Sequence, residues 1–221
     1  MKRIIILGAG GNSRDMIDTL LDINDAANGP VYEPVGYLDD DPAKLGSQLG
    51  GFPVLGPLSA AASYPDCYFI NSINGTRLMS RKAGIIAAAG GPLGRFETIV
   101  HPTASVSRMA HLGRGTVIFQ HVSICSNVRV GNHVAVLPNT VIAHDCVIGD
   151  HCYLTPSVSL AGYVEIGAAA YLGNNCSVMC RVKIGPRAIV GMGSVVLEDV
   201  PEGWTVAGAP ARRIGTSPHR S

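Results

Sequence analysis

Charge is scarce in this chain and balanced where it occurs. Of 221 residues, 15% are Asp, Glu, Lys or Arg, with 17 basic residues against 16 acidic ones and no block of Lys or Arg. That excludes the electrostatic footprint of a nucleic-acid partner or of an anionic membrane. Aromatic residues are fewer still, 5% with a single Trp, so aliphatic side chains must fill the core. No apolar run approaches the ~20 residues a membrane-spanning helix needs. Ile4-Ile5-Ile6-Leu7 after Lys2-Arg3 imitates the start of a signal peptide, but the run is too short and breaks at Gly8. Six cysteines include no close pair of the zinc-binding kind, which points to reduced thiols and a cytoplasmic protein.

What is abundant is periodicity. Stepping by six from Val100 meets Val106, Leu112, Ile118, Ile124, Val130 and so on without a break to Val196, and every residue met is Ile, Leu or Val. Those three types make up about a quarter of the chain, so an unbroken series of this length arises by chance in one draw in ~10¹⁰. A second register, four places on, holds only small or β-branched residues, from Ala104 and Ala110 through Cys146, Cys152 and Cys176 to Val200. Period six is neither helix nor plain strand. It is the hexapeptide signature of a parallel β-helix, with the wide and the narrow residue both pointing into a triangular prism. Gly113, Gly131, Gly149, Gly167, Gly173, Gly185 and Gly191 follow the aliphatic residue and are expected to relieve the corners by adopting positive φ.

The first 96 residues read differently. Arg3–Leu7 reads as a buried strand, Gly8-Ala9-Gly10-Gly11 as a tight turn, and Met16, Ile17, Leu20 and Leu21 as the apolar stripe of a helix. Glycines there let backbone approach a ligand, and the helix N-terminus favours an anion; a tight turn without ligand is the alternative. Tyr32–Leu38 is a second strand, followed by Asp39, Asp40 and Asp41, where carboxylates accept from a ribose in comparable units or stand on a solvated turn. Residues 53–56 form a short apolar piece before a small helix over 57–62. Cys67–Asn71 is a third strand, and a helix is expected from Thr76 to Ala89, broken by Gly90-Gly91-Pro92. Three parts result: a small βαβ domain (1–96), a β-helix with its cap (97–214) in which Trp204 covers the open end, and a frayed tail (215–221).

Gly8-Ala9-Gly10-Gly11, Gly36-Tyr37-Leu38-Asp39-Asp40, the hexapeptides, Ala143-His144-Asp145-Cys146, Leu160-Ala161-Gly162 and Gly208-Ala209-Pro210 together resemble the bacterial sugar acyltransferases. That family includes sialic acid O-acetyltransferases and N-acetyltransferases of nucleotide-linked 4-amino sugars. The resemblance runs from Ile4 to Ile214. It implies a mixed fold, a small Rossmann-like α/β domain followed by a left-handed β-helix, and a homotrimer with active sites between prisms. It implies acetyl-CoA as cosubstrate and no metal. His144 would be the general base, with Asp145 as its partner, which requires a corner to break the strand alternation between them. Gly162 would donate its N–H to the thioester oxygen. The cosubstrate would run along the prism past Tyr153, Gly162, Gly173 and Asn174 to Arg212 and Arg213. Gly10 and Gly11 would meet phosphate, and Asp39 and Asp40 the nucleoside. Asn12 stands where the family usually has His, and Tyr153 where some relatives have His.

Transfer to the amino group of a nucleotide-linked amino sugar is the reading preferred, with O-acetylation of a sialic-acid-type sugar as the alternative. A zinc hydratase on the same prism would need a close histidine pair, which His101, His111, His121, His133, His144 and His151 do not provide. A non-catalytic scaffold is the remaining class.

Overall fold

The computed structural model describes residues 1–76, 78–89 and 92–217. Strands β1 (Lys2–Leu7), β2 (Tyr32–Leu38), β3 (Gln48–Leu49), β4 (Phe52–Gly56) and β5 (Cys67–Asn71) form one sheet in the order β3-β4-β2-β1-β5. All pairs are parallel except β3–β4. Ile4–Leu7 of β1, an interior strand, are fully buried, as a strand covered on both faces requires. Helix α1 (Gly11–Ala26) joins β1 to β2, and α2 (Met79–Ala88) follows β5.

Three of these elements depart from expectation. Five strands stand where three were expected, because Gly50 (φ 58°) and Gly51 (φ 84°) make a two-residue hairpin loop that turns residues 52–56 back into the sheet. Helix α2 starts at Met79 rather than Thr76: Gly75 takes φ 133°, and its carbonyl accepts the Leu78 N–H in a turn. The short helix after residue 57 is a 3₁₀ helix, Leu58–Ser63. Of the expected break after α2, Gly90 and Gly91 lie outside the described residues.

From Ile99 to Val196, two-residue strands, β6 to β22, stack into three parallel sheets. Ser123 pairs with Val141 and Val141 with Ser159, so residues 18 apart lie above one another and three hexapeptides make one coil. One face carries Val117, Ala135, Tyr153 and Tyr171, the next Ser123, Val141, Ser159 and Ser177, the third His111, Arg129, Val147, Glu165 and Lys183. Both predicted registers point inward; they are buried from Thr116 on and partly buried in the first coil, at Val100, Ala104, Val106, Ala110 and Leu112. The polar members find carbonyls at the corners: Thr116 Oγ1 donates to Gly131 O at 2.8 Å and Cys146 Sγ to Ala161 O at 3.1 Å, so no penalty attaches to them.

The corner glycines do not act as expected. None of Gly113, Gly131, Gly149, Gly167, Gly173, Gly185 and Gly191 has positive φ; that conformation falls two residues later, at Gly115, His133, His151, Ala169, Asn175, Arg187 and Gly193. The glycines are required because the next coil sits on them. A Cβ on Gly167 would lie 2.4 Å from Pro186 N, and one on Gly113 2.4 Å from the Gly131 carbonyl carbon.

The Tyr153 face packs against the α/β part. Ile4, Ile6, Met16, Ile17 and Leu20 share one buried cluster with Val117, Phe119, Ala135, Leu137 and Tyr153. At the far end, β23 (Trp204–Ala207) adds to that face and β24 (Arg212–Thr216) returns antiparallel. Trp204 packs on the prism core with the Arg213 guanidinium 4.4 Å from its ring centroid. The tail expected to fray from Gly215 is paired as far as Thr216, and the Ser217 N–H bonds Gly203 O at 2.7 Å; residues 218–221 lie outside the described residues. Among the described residues no helix is long and apolar enough to cross a membrane.

Gly167→Ala should lower the stability of the folded chain by about 2–3 kcal/mol, because both clashing groups belong to stacked coils with no side chain that can yield. Thermal unfolding checks this, and an unchanged midpoint would show that the coils separate freely.

Candidate active site

His144 stands on the edge between the Val141 face and the Val147 face, with a half-exposed ring. Asp145 follows it at φ 59°. This left-handed residue breaks the alternation of side chains, so two consecutive residues meet: His144 Nδ1 lies 2.8 Å from Asp145 Oδ2. A carboxylate only accepts, so Nδ1 carries the proton and Nε2 keeps its lone pair facing outward. Asn127, one coil below, donates to Asp145 Oδ1 at 3.2 Å. The His144 hydrogen bond and then that of Asn127 hold the Asp145 carboxyl below the ordinary carboxylate range. Tyr163, one coil above Asp145, meets the His144 ring edge-on at 5.2 Å and is itself covered by the Arg181 guanidinium at 4.6 Å.

Gly162 lies one coil above His144. A Cβ there would come 2.8 Å from His144 Cε1 and 2.9 Å from Nε2, so only glycine lets the imidazole lie across this corner. Among the described residues no backbone carbonyl takes the Gly162 N–H. An imidazole lone pair and an unpaired N–H thus share one exposed patch, the combination that deprotonates a nucleophile and stabilises an oxyanion.

A second constellation lies where α1 meets the prism. Gly10 caps α1 without a side-chain hydrogen bond, and the first turn has no acidic residue. Added Cβ atoms on Gly10 or Gly11 would meet no atom within 4 Å, so packing does not demand glycine there; the space beyond is a cavity of about 360 Å³ lined by Gly10, Gly11, Asn12, Asn74, Tyr153 and Tyr171. The Asn12 amide donates to the Tyr153 hydroxyl. A neighbouring cavity of about 420 Å³ is lined by Gly8, Gly10, Asp39, Asp40, Lys44 and Leu58. Gly10, Ser72 and Asn74 line both.

The acidic pair after β2 is already engaged. Asp39 accepts from Ala9 N–H at 2.6 Å, Asp41 N–H at 2.9 Å and Lys44 Nζ at 3.0 Å. Burial raises its carboxyl, and these donors outweigh that and leave it below the ordinary range. Asp40 Oδ1 accepts the Leu58 N–H at 2.8 Å. Both carboxylates shape the cavity wall first and have only their remaining lone pairs for a ligand.

The predicted residues therefore fall into separate groups. His144, Asp145 and Gly162 come together. Gly10, Gly11, Asn12 and Tyr153 come together elsewhere, on the face that packs against α1, so Tyr153 is apart from the His144 edge. Gly173 and Asn174 occupy the corner between the Tyr153 and Val141 faces, and Arg212 lies on β24 at the far end. Missed were Asn127, Tyr163, Tyr171, Ser72 and Asn74. The first three are found by adding or subtracting 18 from Asp145 and Tyr153; Ser72 and Asn74 carry no such signal. Among the described residues no three His, Cys, Asp or Glu are grouped to hold a metal ion.

The family described as bacterial transferase hexapeptide (six repeats) matches residues 127–162 and 163–198, and the PglD N-terminal domain family matches residues 3–76. No curated protein matches the chain. Among solved structures, the acetyltransferase domain of PglB from Neisseria gonorrhoeae FA1090 is 26% identical with a TM-score of 0.81, covering 97% of this chain and 100% of that one; it has also been solved with acetyl coenzyme A. PerB from Caulobacter crescentus, solved with CoA and GDP-perosamine, is 29% identical with a TM-score of 0.83, covering 97% and 98%. WeeI from Acinetobacter baumannii AYE, 22% identical with a TM-score of 0.69, shares the fold.

Asp39→Asn should destabilise the chain at neutral pH, and the deficit should shrink on acidification. The folded Asp39 carboxyl titrates below its unfolded value, so its stabilisation is full above about pH 4 and is lost as pH falls through the lower folded value. Denaturant titrations of both proteins from neutral pH to about pH 3 would show the difference closing; a constant difference would mean that the carboxylate charge is not what holds Ala9 and Lys44.

Proposed function

The chain belongs to the bacterial sugar acyltransferases, and on that premise we propose that it transfers an acetyl group from acetyl-CoA to the amino group of a nucleotide-linked amino sugar. The observation that carries this reading is the His144–Asp145 pair lying across a glycine that leaves its N–H free. The unprotonated sugar amine attacks the thioester carbon. Gly162 N–H receives the negative charge that develops on the acyl oxygen. His144 Nε2 takes the proton the nitrogen loses, while Asp145 keeps Nδ1–H oriented and stabilises the imidazolium. As the C–S bond breaks, that proton is delivered to the departing sulfur, which leaves CoA as thiol and the sugar as amide. Acetyl-CoA would follow the prism past Gly162, Gly173 and Asn174 toward Arg212.

The N-terminal cavities support a nucleotide-linked acceptor over a free sugar. An uncapped helix start beside two glycines with open space suits a diphosphate, and a second cavity alongside gives the nucleoside room. PerB, solved with GDP-perosamine, has this architecture over nearly its whole length. A free sialic-acid-type acceptor for O-acetylation would leave the larger cavity without an occupant.

The position of the two constellations supports assembly as a homotrimer. The acceptor cavities lie against the Tyr153 face, and His144 stands on the edge between the other two faces. An acceptor bound in one copy therefore needs His144 of another. Val141, Val147, Tyr163, Met179 and Val195 are exposed around that edge, the apolar surface that closure about a three-fold axis would cover.

His144→Ala should reduce kcat by ~10²–10⁴ with acetyl-CoA binding intact; retention of more than a tenth of kcat would remove His144 from the base role. Gly10→Val, tolerated by an extended backbone with open space around it, should block the acceptor. Mixing the two inactive variants through dissociation and reassembly should restore about a quarter of wild-type activity, the share of sites that unite an intact cavity with an intact neighbouring histidine. No recovery in verified mixed assemblies would place the whole site in one chain.

A further inference from the structure

Lys82, on α2, is fully buried and has no carboxylate among its partners. Its Nζ donates to Asn74 Oδ1 at 2.8 Å and to His133 O at 2.7 Å, and reaches His151 O at 3.4 Å. A buried ammonium held only by neutral oxygens is expensive, and a methionine would fill the same space more cheaply, so its charge calls for a reason. Asn74 provides one. An ammonium only donates, so it fixes which end of the carboxamide faces it. With Oδ1 turned to Lys82, the Asn74 NH2 is left over, and among the described residues that nitrogen is buried without an acceptor. Two further groups on the same stretch are in the same state, Asn71 Nδ2 and Ser72 Oγ. Ser72, Asn74 and Gly10 are the residues common to both acceptor cavities; they mark the junction, and in a nucleotide-linked sugar the junction of nucleoside and sugar is the diphosphate.

We infer that Lys82 is a positioning residue whose ammonium holds the Asn74 carboxamide so that its NH2 donates to a diphosphate oxygen of the acceptor. The inference rests on the nucleotide-linked acceptor proposed above. Because Lys82 also grips the His133 carbonyl, the donor is set by the docking of α2 on the prism corner, and the diphosphate subsite forms only when the two parts are joined. Burial brings the Lys82 ammonium down to about 7. The titratable groups around it on the prism are His133, brought to about 4 chiefly by burial; His151, also lowered; Cys152, pushed up to about 12; and Asp150. None of them supplies a fixed negative charge against the ammonium: the Asp150 carboxylate is taken by the Asn132 N–H at 2.7 Å.

The test is calorimetry of the full-length chain with GDP, UDP and dTDP as probes, using the diphosphate that wild type binds best. Asn74→Asp offers Lys82 a better partner, so the variant should fold with an unchanged or raised midpoint, yet it lacks the donor and should weaken diphosphate binding by about tenfold or more. Lys82→Met should weaken the same diphosphate about tenfold and leave acetyl-CoA binding unchanged. Raising the pH from about 6 to about 8 should cost wild type more diphosphate affinity than it costs Lys82→Met, because the ammonium is lost only in wild type. Diphosphate binding within twofold of wild type in Asn74→Asp overturns the inference while the acceptor reading stands; it decides the matter even if Lys82→Met fails to fold. Wild type that binds acetyl-CoA but none of the three diphosphates overturns the acceptor reading, and the inference with it.

Discussion

Along the prism edge that carries Gly113, Gly131, Gly149, Gly167 and Gly185, the backbone of one coil rests closely on the coil 18 residues later. Strand spacing fixes that contact, because parallel ladders set the coils ~4.8 Å apart. The consequences run along the whole edge. The residue after the inward aliphatic is small wherever the next coil comes down on it, and the sharpest turn is displaced two residues on, into a left-handed residue that leads back to the inward small position. The prism tolerates His, Asn, Asp, Tyr and Arg in that left-handed slot although each costs about a kcal/mol there, because ladder hydrogen bonds on both sides hold the turn.

Chemistry is built on the same constraint. At an ordinary corner the left-handed residue does nothing but turn the chain. At residues 143–145 it carries a carboxylate, and the turn brings that carboxylate against the histidine before it. The coil above supplies a glycine where a side chain would strike the ring, and the coil below supplies Asn127 to the other carboxylate oxygen. Three consecutive coils thus bring together an imidazole, the carboxylate it bonds and, among the described residues, an unpaired N–H without any loop or insertion. Such a site is as rigid as the ladder and needs no ordering when ligand arrives.

The prism was legible in the sequence because an 18-residue coil writes the same constraint on the chain again and again; His144 and Asp145 came from the family resemblance, and the corner needed to bring them together is present. The function of the corner glycines was misread: the positions were visible, but positive φ and close approach ask for the same residue, and only the stacked geometry separates them. The hairpin strand at residues 52–56 was missed although Gly50-Gly51 announces a two-residue turn; a five-residue strand after a two-residue one is too short for periodicity to register. Asp39 looked like a ligand for a ribose, whereas its oxygens are engaged by Ala9, Asp41 and Lys44; that is a tertiary fact with no trace in local pattern. Tyr153 was placed on the acetyl-CoA path by resemblance, and the structure sets it against Asn12 across the domain seam. Side chains that meet across that seam, Lys82 with His133 or Asn12 with Tyr153, are separated by 51 and 141 residues and follow no period.

The charge economy noted at the outset bears on how an anionic acceptor is held. Among the described residues, the cavity cation Lys44 is paired with Asp39, and Asp40 adds a negative charge nearby, so these residues offer no net positive field to a diphosphate. On the proposed reading, the described residues supply oriented neutral donors instead: the uncapped N–H groups at the start of α1, the Ser72 hydroxyl and the Asn74 amide. Donors of that kind bind by geometry rather than by long-range attraction, so the interaction is little screened by salt and is lost when a donor turns by a few tenths of an ångström. A buried ammonium fits this scheme. Placed behind the donor rather than against the ligand, Lys82 spends its charge on the orientation of an amide, and the phosphate meets a fixed N–H in place of a flexible cation.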